Sequence, residues 1–521
     1  MKRREVLALA AAAAVPLPAA ETETCDVLVY GSTPGGVAAA VEAARRGLRT
    51  VLACPKQHLG GMAASGLSTT DAVRTEIFGG IVAEFIAKVK EHYVKTLEHQ
   101  PEELKLTKDG WFYEPSVAEM VFTSLVRAEE KQLRWLPQHH LAGVQRDGRK
   151  VVAARLDGPG GAQVEIRART FIDGTYEGDL AGAAKVPYRV GREARAEYDE
   201  PFAGIYYMNW RTGTQIVTPD TGEASPAIQA FCARSIFTDD PAQRVTIERP
   251  ATYEQHLSDY VPLLHDFATG RLKRWGWGTR LPGRKFQMNG SIEGLTSLNL
   301  PGASWTWPEA ERHHRQRLHD FHVDHAAGLI WFLQHDPRVP QEIRTHMAPL
   351  GLHKREFKTS GHWPWQIYVR QGRRIEGRAL LTQHSFTVNA TTGRTPRVPH
   401  AIAIGEHSFD VHPCHDRRYA VDGFMEGVLW YPKKAFGPAQ PGQIPYGVML
   451  PKTIDNLLVP VAMSSTHVAM SVLRMEPVWM TTGQVAGYAA AEALRQRVDV
   501  AEIDPDPIPR KLGIRVEPAI Q

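Results

Sequence analysis

The sequence predicts an α/β fold, a Rossmann-like dinucleotide-binding domain carrying an inserted mixed α+β region, and three observations support this. A β-rich run, Cys25–Tyr30, passes at once into the turn Gly31-Ser32-Thr33-Pro34-Gly35-Gly36 and then into an alanine-rich helical stretch. Near the other end, the short apolar strand Leu457–Pro460 precedes a second alanine-rich helix, Val478–Leu494. Between about residues 190 and 400 the alternation of strand and helix lapses, and Trp, Pro, His and Arg become frequent. At 521 residues the chain can form two or more domains.

Residues 1–20 read as a targeting segment. Lys2, Arg3 and Arg4 precede an apolar run ending near Val15, then Pro16, Pro18 and small residues. The Arg3-Arg4 pair resembles a twin-arginine export signal, which predicts a folded, exported and periplasmic protein. An ordinary secretory signal and a frayed N-terminal helix are the alternatives. The apolar run is too short to span a bilayer, and no later segment is apolar enough, so no integral membrane segment is expected after signal removal.

The composition, 43% hydrophobic and 23% charged, is that of an ordinary globular protein. Half of the net charge of +4 comes from Lys2, Arg3 and Arg4 against Glu5, and the remaining Lys and Arg are dispersed. That excludes the concentrated basic face of a nucleic-acid binder. Cys25, Cys54, Cys232 and Cys414 show neither CxxC pairing nor metal-ligand spacing, so no disulfide framework is expected.

The opening βαβ unit comprises Cys25–Tyr30, the helix Val37–Arg46 stopped by Gly47, and the strand Thr50–Cys54. Gly31 permits the tight turn and Gly36 allows the helix to approach the strand; Gly31, Thr33, Gly35 and Gly36 are the candidate cofactor-binding residues of this turn. The helix N-terminus then offers N–H groups and a positive dipole end to a pyrophosphate. Two positions depart from the usual fingerprint. Thr33 replaces the middle glycine, although its hydroxyl can itself donate, and Cys54 stands where a ribose-binding acid is expected. The dense glycines of His58-Leu59-Gly60-Gly61-Met62 suggest backbone approaching a ligand, or a plain flexible loop.

Gln132–Trp135 reads as a further strand. Leu141–Gln145, Val151–Leu156 and Gln163–Arg167 read as a three-stranded meander, and Thr170–Gly174 as a last buried strand. This order resembles the insertion in the FAD domain of glutathione-reductase-like flavoproteins, whereas an NAD domain would continue to alternate strand and helix. FAD is therefore the expected cofactor, with Asp173, Gly174 and Asp179 near its pyrophosphate or ribityl part.

Several motifs together resemble one family, the FAD-dependent oxidoreductases often termed xanthan-lyase-like. They include Gly31–Gly36, His58–Met62, Glu114-Pro115-Ser116-Val117-Ala118-Glu119, Pro301-Gly302-Ala303-Ser304-Trp305, Ile367–Ile375 and Ile444-Pro445-Tyr446. The most specific run is Asp455–Pro460, continuing through Ser465–Ala469, Arg474-Met475-Glu476-Pro477 and Gly483-Gln484. Gln371 stands where the resemblance leads one to expect Glu, and Gly447 where it leads one to expect Arg. The implied layout is an export signal over 1–20, an FAD-binding domain of glutathione-reductase type over 24–190 and 401–500, an inserted substrate or cap domain over 191–400, and a tail over 501–521.

The resemblance places Gly483 and Gln484, at the start of the last long helix, beside the flavin, where the dipole would stabilise the reduced ring. The alternative is a packing helix whose glycines permit close contact. His467 and Arg474 are the candidate catalytic residues, the first as proton acceptor and the second to orient an oxyanion or carboxylate. Their plainer roles are loop support and pairing with Glu476. Arg370, Arg374 and Tyr446 are the candidate substrate residues, with pairing to surface acids the plainer role for the arginines. His322 and His325 stand one helical turn apart, but without an HExxH-type signature, and no metal is expected. Asp410, His412, His415 and Asp416 form another candidate polar site.

These residues and the family resemblance imply an FAD-dependent oxidoreductase that oxidises a small polar substrate by hydride transfer to flavin N5, with an unidentified external electron acceptor. The export signal and the resemblance together imply that the substrate is of carbohydrate type. A lyase or isomerase using FAD for internal redox is the alternative, and a non-catalytic nucleotide-binding protein the third.

Overall fold

The computed structural model describes residues 21–209, 212, 214–216, 220–275, 277–289, 295–429 and 440–517. The expected export signal lies outside them, as does the end of the expected tail.

Runs of Val, Leu and Ile buried on both faces give short parallel strands. β1 (Glu21–Thr24) is polar and largely exposed, whereas β2 (Val27–Tyr30) is buried throughout. α1 (Pro34–Arg45) follows, with proline in its first turn, where a missing N–H costs no helical bond. β3 (Thr50–Ala53), α2 (Gly80–Thr96), α3 (Pro115–Ala128) and β4 (Leu133–Leu136) come next. β5 (His140–Asp147), β6 (Lys150–Asp157) and β7 (Gln163–Arg167) form the expected antiparallel meander, before β8 (Thr170–Asp173). β1 adds a fourth strand, parallel to β7.

The inserted region contains a five-stranded antiparallel sheet of β9 (Ile236–Thr238), β10 (Arg244–Val245), β11 (Trp277–Leu281), β12 (Lys285–Asn289) and β13 (Gly351–His353), in the order β10-β13-β9-β12-β11. α4 (Tyr253–Tyr260) packs against the long α5 (Arg312–His335), whose apolar half, Ala326–Leu333, is mostly buried. The chain then returns as β14 (Leu457–Leu458), α6 (His467–Leu473) and α7 (Glu476–Gln496). β14 completes a parallel sheet in the order β14-β8-β2-β3-β4. Among the described residues, no helix is long and apolar enough to cross a membrane.

α1 and α7 make the closest helix pair of the fold. A side chain on Gly483 would collide with the Gly35 carbonyl, and one on Gly487 with that of Ala39. Gln484 donates to Glu42 on α1 at 2.9 Å and accepts from the Ile81 amide on α2 at 2.9 Å. Gly483 and Gln484, expected beside the cofactor, are thus engaged in holding α7 against α1 and α2. Val37 and Val41 on α1 are fully buried, and each contributes roughly 2 kcal/mol through removal from water.

Candidate active site and cofactor cleft

The turn after β2 lies at the C-terminal edge of the parallel sheet, where open α/β sheets take ligands. Gly31 has φ +109°, and a Cβ there would stand 2.5 Å from the Gly174 carbonyl carbon. Thr33 is the N-cap of α1: its Oγ1 accepts from the Gly36 amide at 3.1 Å and donates to the Gly174 carbonyl at 2.6 Å. The Thr33 hydroxyl, expected to donate to a ligand, is therefore bound to Gly174. Pro34 has no N–H, so the first-turn amide of α1 left without a partner among the described residues is that of Gly35.

A cleft of about 1090 Å³ opens here, lined by Gly31, Thr33, Lys56, Gly61 and Asp179 among others. Cys54 at the end of β3 accepts from the Ser32 hydroxyl at 2.8 Å, and burial raises its thiol pKa. Lys56, two residues beyond Cys54, also lines the cleft and makes no ion pair among the described residues; burial lowers its pKa, which an anion beside it would oppose. Gly60 donates to the Ser32 carbonyl at 2.9 Å, and the Tyr176 hydroxyl accepts from the Met62 amide at 2.8 Å, which fixes the glycine loop against the turn.

Two expected cofactor residues are committed within the protein. Asp173 is buried and accepts from the Thr175 amide and hydroxyl and from the Ala181 amide; burial raises its pKa to about 6. Asp179 lines the cleft but pairs with Arg315 at 2.6 Å and Arg373 at 2.9 Å. Burial alone would raise its pKa; the two arginines hold it below the ordinary value. Gly174, whose amide bonds the Tyr30 carbonyl, acts through backbone packing.

The glycine turn fits a dinucleotide: Gly31, Ser32 and Thr33 line the cleft, and the N-terminus of α1 follows them directly. At the start of α7, Glu476 Oε1 accepts from the Tyr176 hydroxyl at 2.6 Å, while its Oε2 and the indole N–H of Trp479 are buried without a partner among the described residues. A Cβ on Gly35 would stand 2.8 Å from the Trp479 carbonyl, so the backbone of α7 at Trp479 packs on the start of α1. Burial raises the Glu476 pKa to about 8.

A second cavity of about 1370 Å³ is lined by Asp71, Arg234, Tyr368, Asp410, His412 and Arg474 among others. The loop from Gly60 to Asp71 joins the two: Gly61 lines the cleft, Gly66 packs on the Arg234 backbone, and Asp71 lines the second cavity. Arg474, at the end of α6, donates to the Tyr368 hydroxyl at 2.9 Å and to Asp410 Oδ2 at 2.6 Å. It does not pair with Glu476. His412 bonds Asn299 at 3.0 Å; burial, then Arg370, lowers its pKa to about 3 despite Asp410. The candidate polar pair Asp410 and His412 thus joins Arg474 in one site.

His467, the first residue of α6, lines neither cavity. Its Nδ1 lies 2.7 Å from Gln371 Oε1, whose amide nitrogen donates to the Gly191 carbonyl; Nδ1 therefore carries the hydrogen and Nε2 is the acceptor. Burial, then Arg192 and Arg374, holds its pKa well below the ordinary value. A glutamate at 371 would oppose that shift.

Two expected substrate residues are braces. Arg374 is fully buried and bonds the Ser465 and Gly191 carbonyls and Glu193, which occupies all three of its nitrogens. Tyr446 is buried, with its hydroxyl on the Val500 carbonyl at 2.9 Å. Both point inward because the protein supplies their partners. Arg370 lies 4.4 Å from the Tyr368 ring centre, outside the cavity lining, and donates to the Ala230 carbonyl. Arg234 was not singled out from the sequence; it, too, lies 4.4 Å from the Tyr368 ring centre.

On α5, His322 bonds the Leu318 carbonyl and Ser304, and His325 bonds the Ser297 carbonyl. They do not converge on each other; instead, His325 lies with His256 and Asp259, their ligand-capable atoms all within 4.8 Å. The four cysteines are buried and free.

A family model described as FAD dependent oxidoreductase matches residues 26–512. No curated protein matches the sequence. Among solved structures, the chain is similar to a geranylgeranyl bacteriochlorophyll reductase-like protein from Thermoplasma acidophilum, with 12% identity over 95% of this chain and 85% of that one and a TM-score of 0.37. It is also similar to the myxobacterial chondrochloren halogenase CndH, an FAD-dependent halogenase, with 11% identity over 94% and 78% and a TM-score of 0.36. Likenesses this distant transfer no activity.

Proposed function

Because the chain belongs to the FAD dependent oxidoreductase family, we propose that it oxidises a small polar, carbohydrate-type substrate at a C–H bond next to oxygen or nitrogen. The observation that carries this reading is the pair of cavities joined by the Gly60–Asp71 loop, one against the dinucleotide turn and one closed by Arg474, Tyr368 and Asp410. FAD, when bound, supplies a two-electron acceptor, with N5 taking the hydride. In the cleft, the Gly35 amide, the α1 dipole and Lys56 would hold the pyrophosphate.

In this reading Arg474 orients the substrate oxygen, its guanidinium fixed in advance by Tyr368 and Asp410. His467 lies behind the cavity walls, so in this reading its Nε2 takes the hydroxyl or amine proton through a bridging water rather than by direct contact, while the C–H hydrogen leaves with its electron pair and the carbonyl or imine forms. Keeping the imidazole neutral beforehand leaves that lone pair free. Net oxidation would need an external acceptor for the two electrons. Export to the periplasm belongs to the same proposal and rests on Lys2–Val15.

His467→Ala tests the assignment. It should retain full flavin content and lose flavin reduction by substrate under anaerobic mixing; unchanged reduction contradicts it. Sustained turnover with neither oxygen nor a dye acceptor would show internal redox instead of net oxidation.

A further inference from the structure

The second cavity is strongly cationic. Six cationic side chains line it against three carboxylates, a net of three positive charges beside a whole-chain net of +4. Lys273, Arg274 and Arg280 are exposed, whereas Arg234 and Arg474 are 5% and 3% exposed. A cleft lined by one sign of charge concentrates the opposite sign.

The two buried arginines are incompletely satisfied. Arg234 donates to Asn289 Oδ1 at 2.7 Å and has no carboxylate partner among the described residues; its Nε is buried without a partner. Arg474 has one carboxylate, Asp410, and its Nε is likewise unpaired. Arg370, behind Tyr368, also has a buried unpaired Nε and no acid, and burial lowers its pKa to about 10, with Arg234 and Arg474 adding to the effect against an opposing Cys232. Three guanidinium groups therefore surround one tyrosine ring, at 4.4, 4.4 and 5.8 Å, with a single direct carboxylate between them. Buried cations left short of counter-charge are costly, and an anion between them removes the cost.

We propose that this cavity receives an oxyanion group of the substrate (carboxylate, sulfate or phosphate) at Arg234 and Arg474. The guanidinium fork matches any of the three, and the exposed cations at the cavity steer the anion inward. The substrate is then an acidic small molecule rather than a neutral one. This rests on the reading of the second cavity as the substrate site.

The test is calorimetric binding to the FAD-loaded enzyme, independent of turnover, with glucose, glucuronate, glucose 6-sulfate, glucose 6-phosphate and inorganic sulfate as probes. At least one charged sugar should bind ten-fold or more tighter than glucose, and more weakly as salt rises. The tightest of the three identifies the oxyanion. Arg234→Gln should remove that advantage at unchanged flavin content, and Arg234→Lys should restore part of it. Sulfate binding without any sugar binding would uphold the oxyanion site and reject the carbohydrate class. Glucose binding as tightly as its charged analogues, or an Arg234→Gln variant that binds them undiminished, would overturn the proposal.

Discussion

Thr33 Oγ1 lies 2.6 Å from the Gly174 carbonyl, so the N-cap of α1 also bridges to the residue that follows β8. The position that departs from the glycine fingerprint thereby gains a structural bond, while the Gly35 amide beside it stays open. Thr33→Val should lose both the cap and the bridge, lowering stability by about 1–2 kcal/mol, whereas Thr33→Ser should retain most of it. Denaturant unfolding of the two variants checks this; equal loss in both would contradict it.

At Gly31, φ of +109° and the 2.5 Å approach to Gly174 leave no place for a side chain. Gly31→Ala should reduce bound flavin per chain severalfold in protein that remains folded by circular dichroism. Full retention would remove this turn from the cofactor site.

How much of this was legible in the sequence follows from how local each signal is. The turn at Gly31–Gly36, the meander and the strand Thr170–Asp173 are set by neighbouring residues, and their order was readable. β1 was not, because Glu21–Thr24 is polar and its partner β7 lies far along the chain. The antiparallel sheet is built of strands two to five residues long, too short for a periodic signal, and β13 pairs with β9 and β10 across more than a hundred residues. For the site, Arg474 and Asp410 were singled out separately, but nothing local joins them. Arg374 and Tyr446 look like ligands by type and are braces by their partners, and Arg234 carried no motif.

Glu476 makes stability depend on pH. Folded, it holds its proton up to about pH 8; unfolded, it releases it near its ordinary value of 4.5. Between those values the unfolded state binds fewer protons, so this contribution to stability falls as pH rises and is fully present only below 4.5. Apoprotein stability should therefore drop from pH 5.5 to 7.5, and Glu476→Gln should flatten that drop by at least about 1 kcal/mol. A variant with the wild-type slope would place the titration elsewhere.

Gln371 holds His467 without charge. Gln371→Glu places a carboxylate 2.7 Å from Nδ1 and should raise the imidazole pKa, moving the acid limb of kcat/KM to higher pH, since the protonated form cannot accept the substrate proton. An acid limb unmoved at unchanged flavin content would remove His467 from the proton path.

The central claim, that this chain is a flavoenzyme whose cofactor lies in the cleft against α1, is tested most directly by an absorption spectrum of the purified protein before and after acid precipitation. The account predicts the bands of oxidised flavin and yellow colour released to the supernatant as FAD. A colourless protein that also fails to bind added FAD would contradict it.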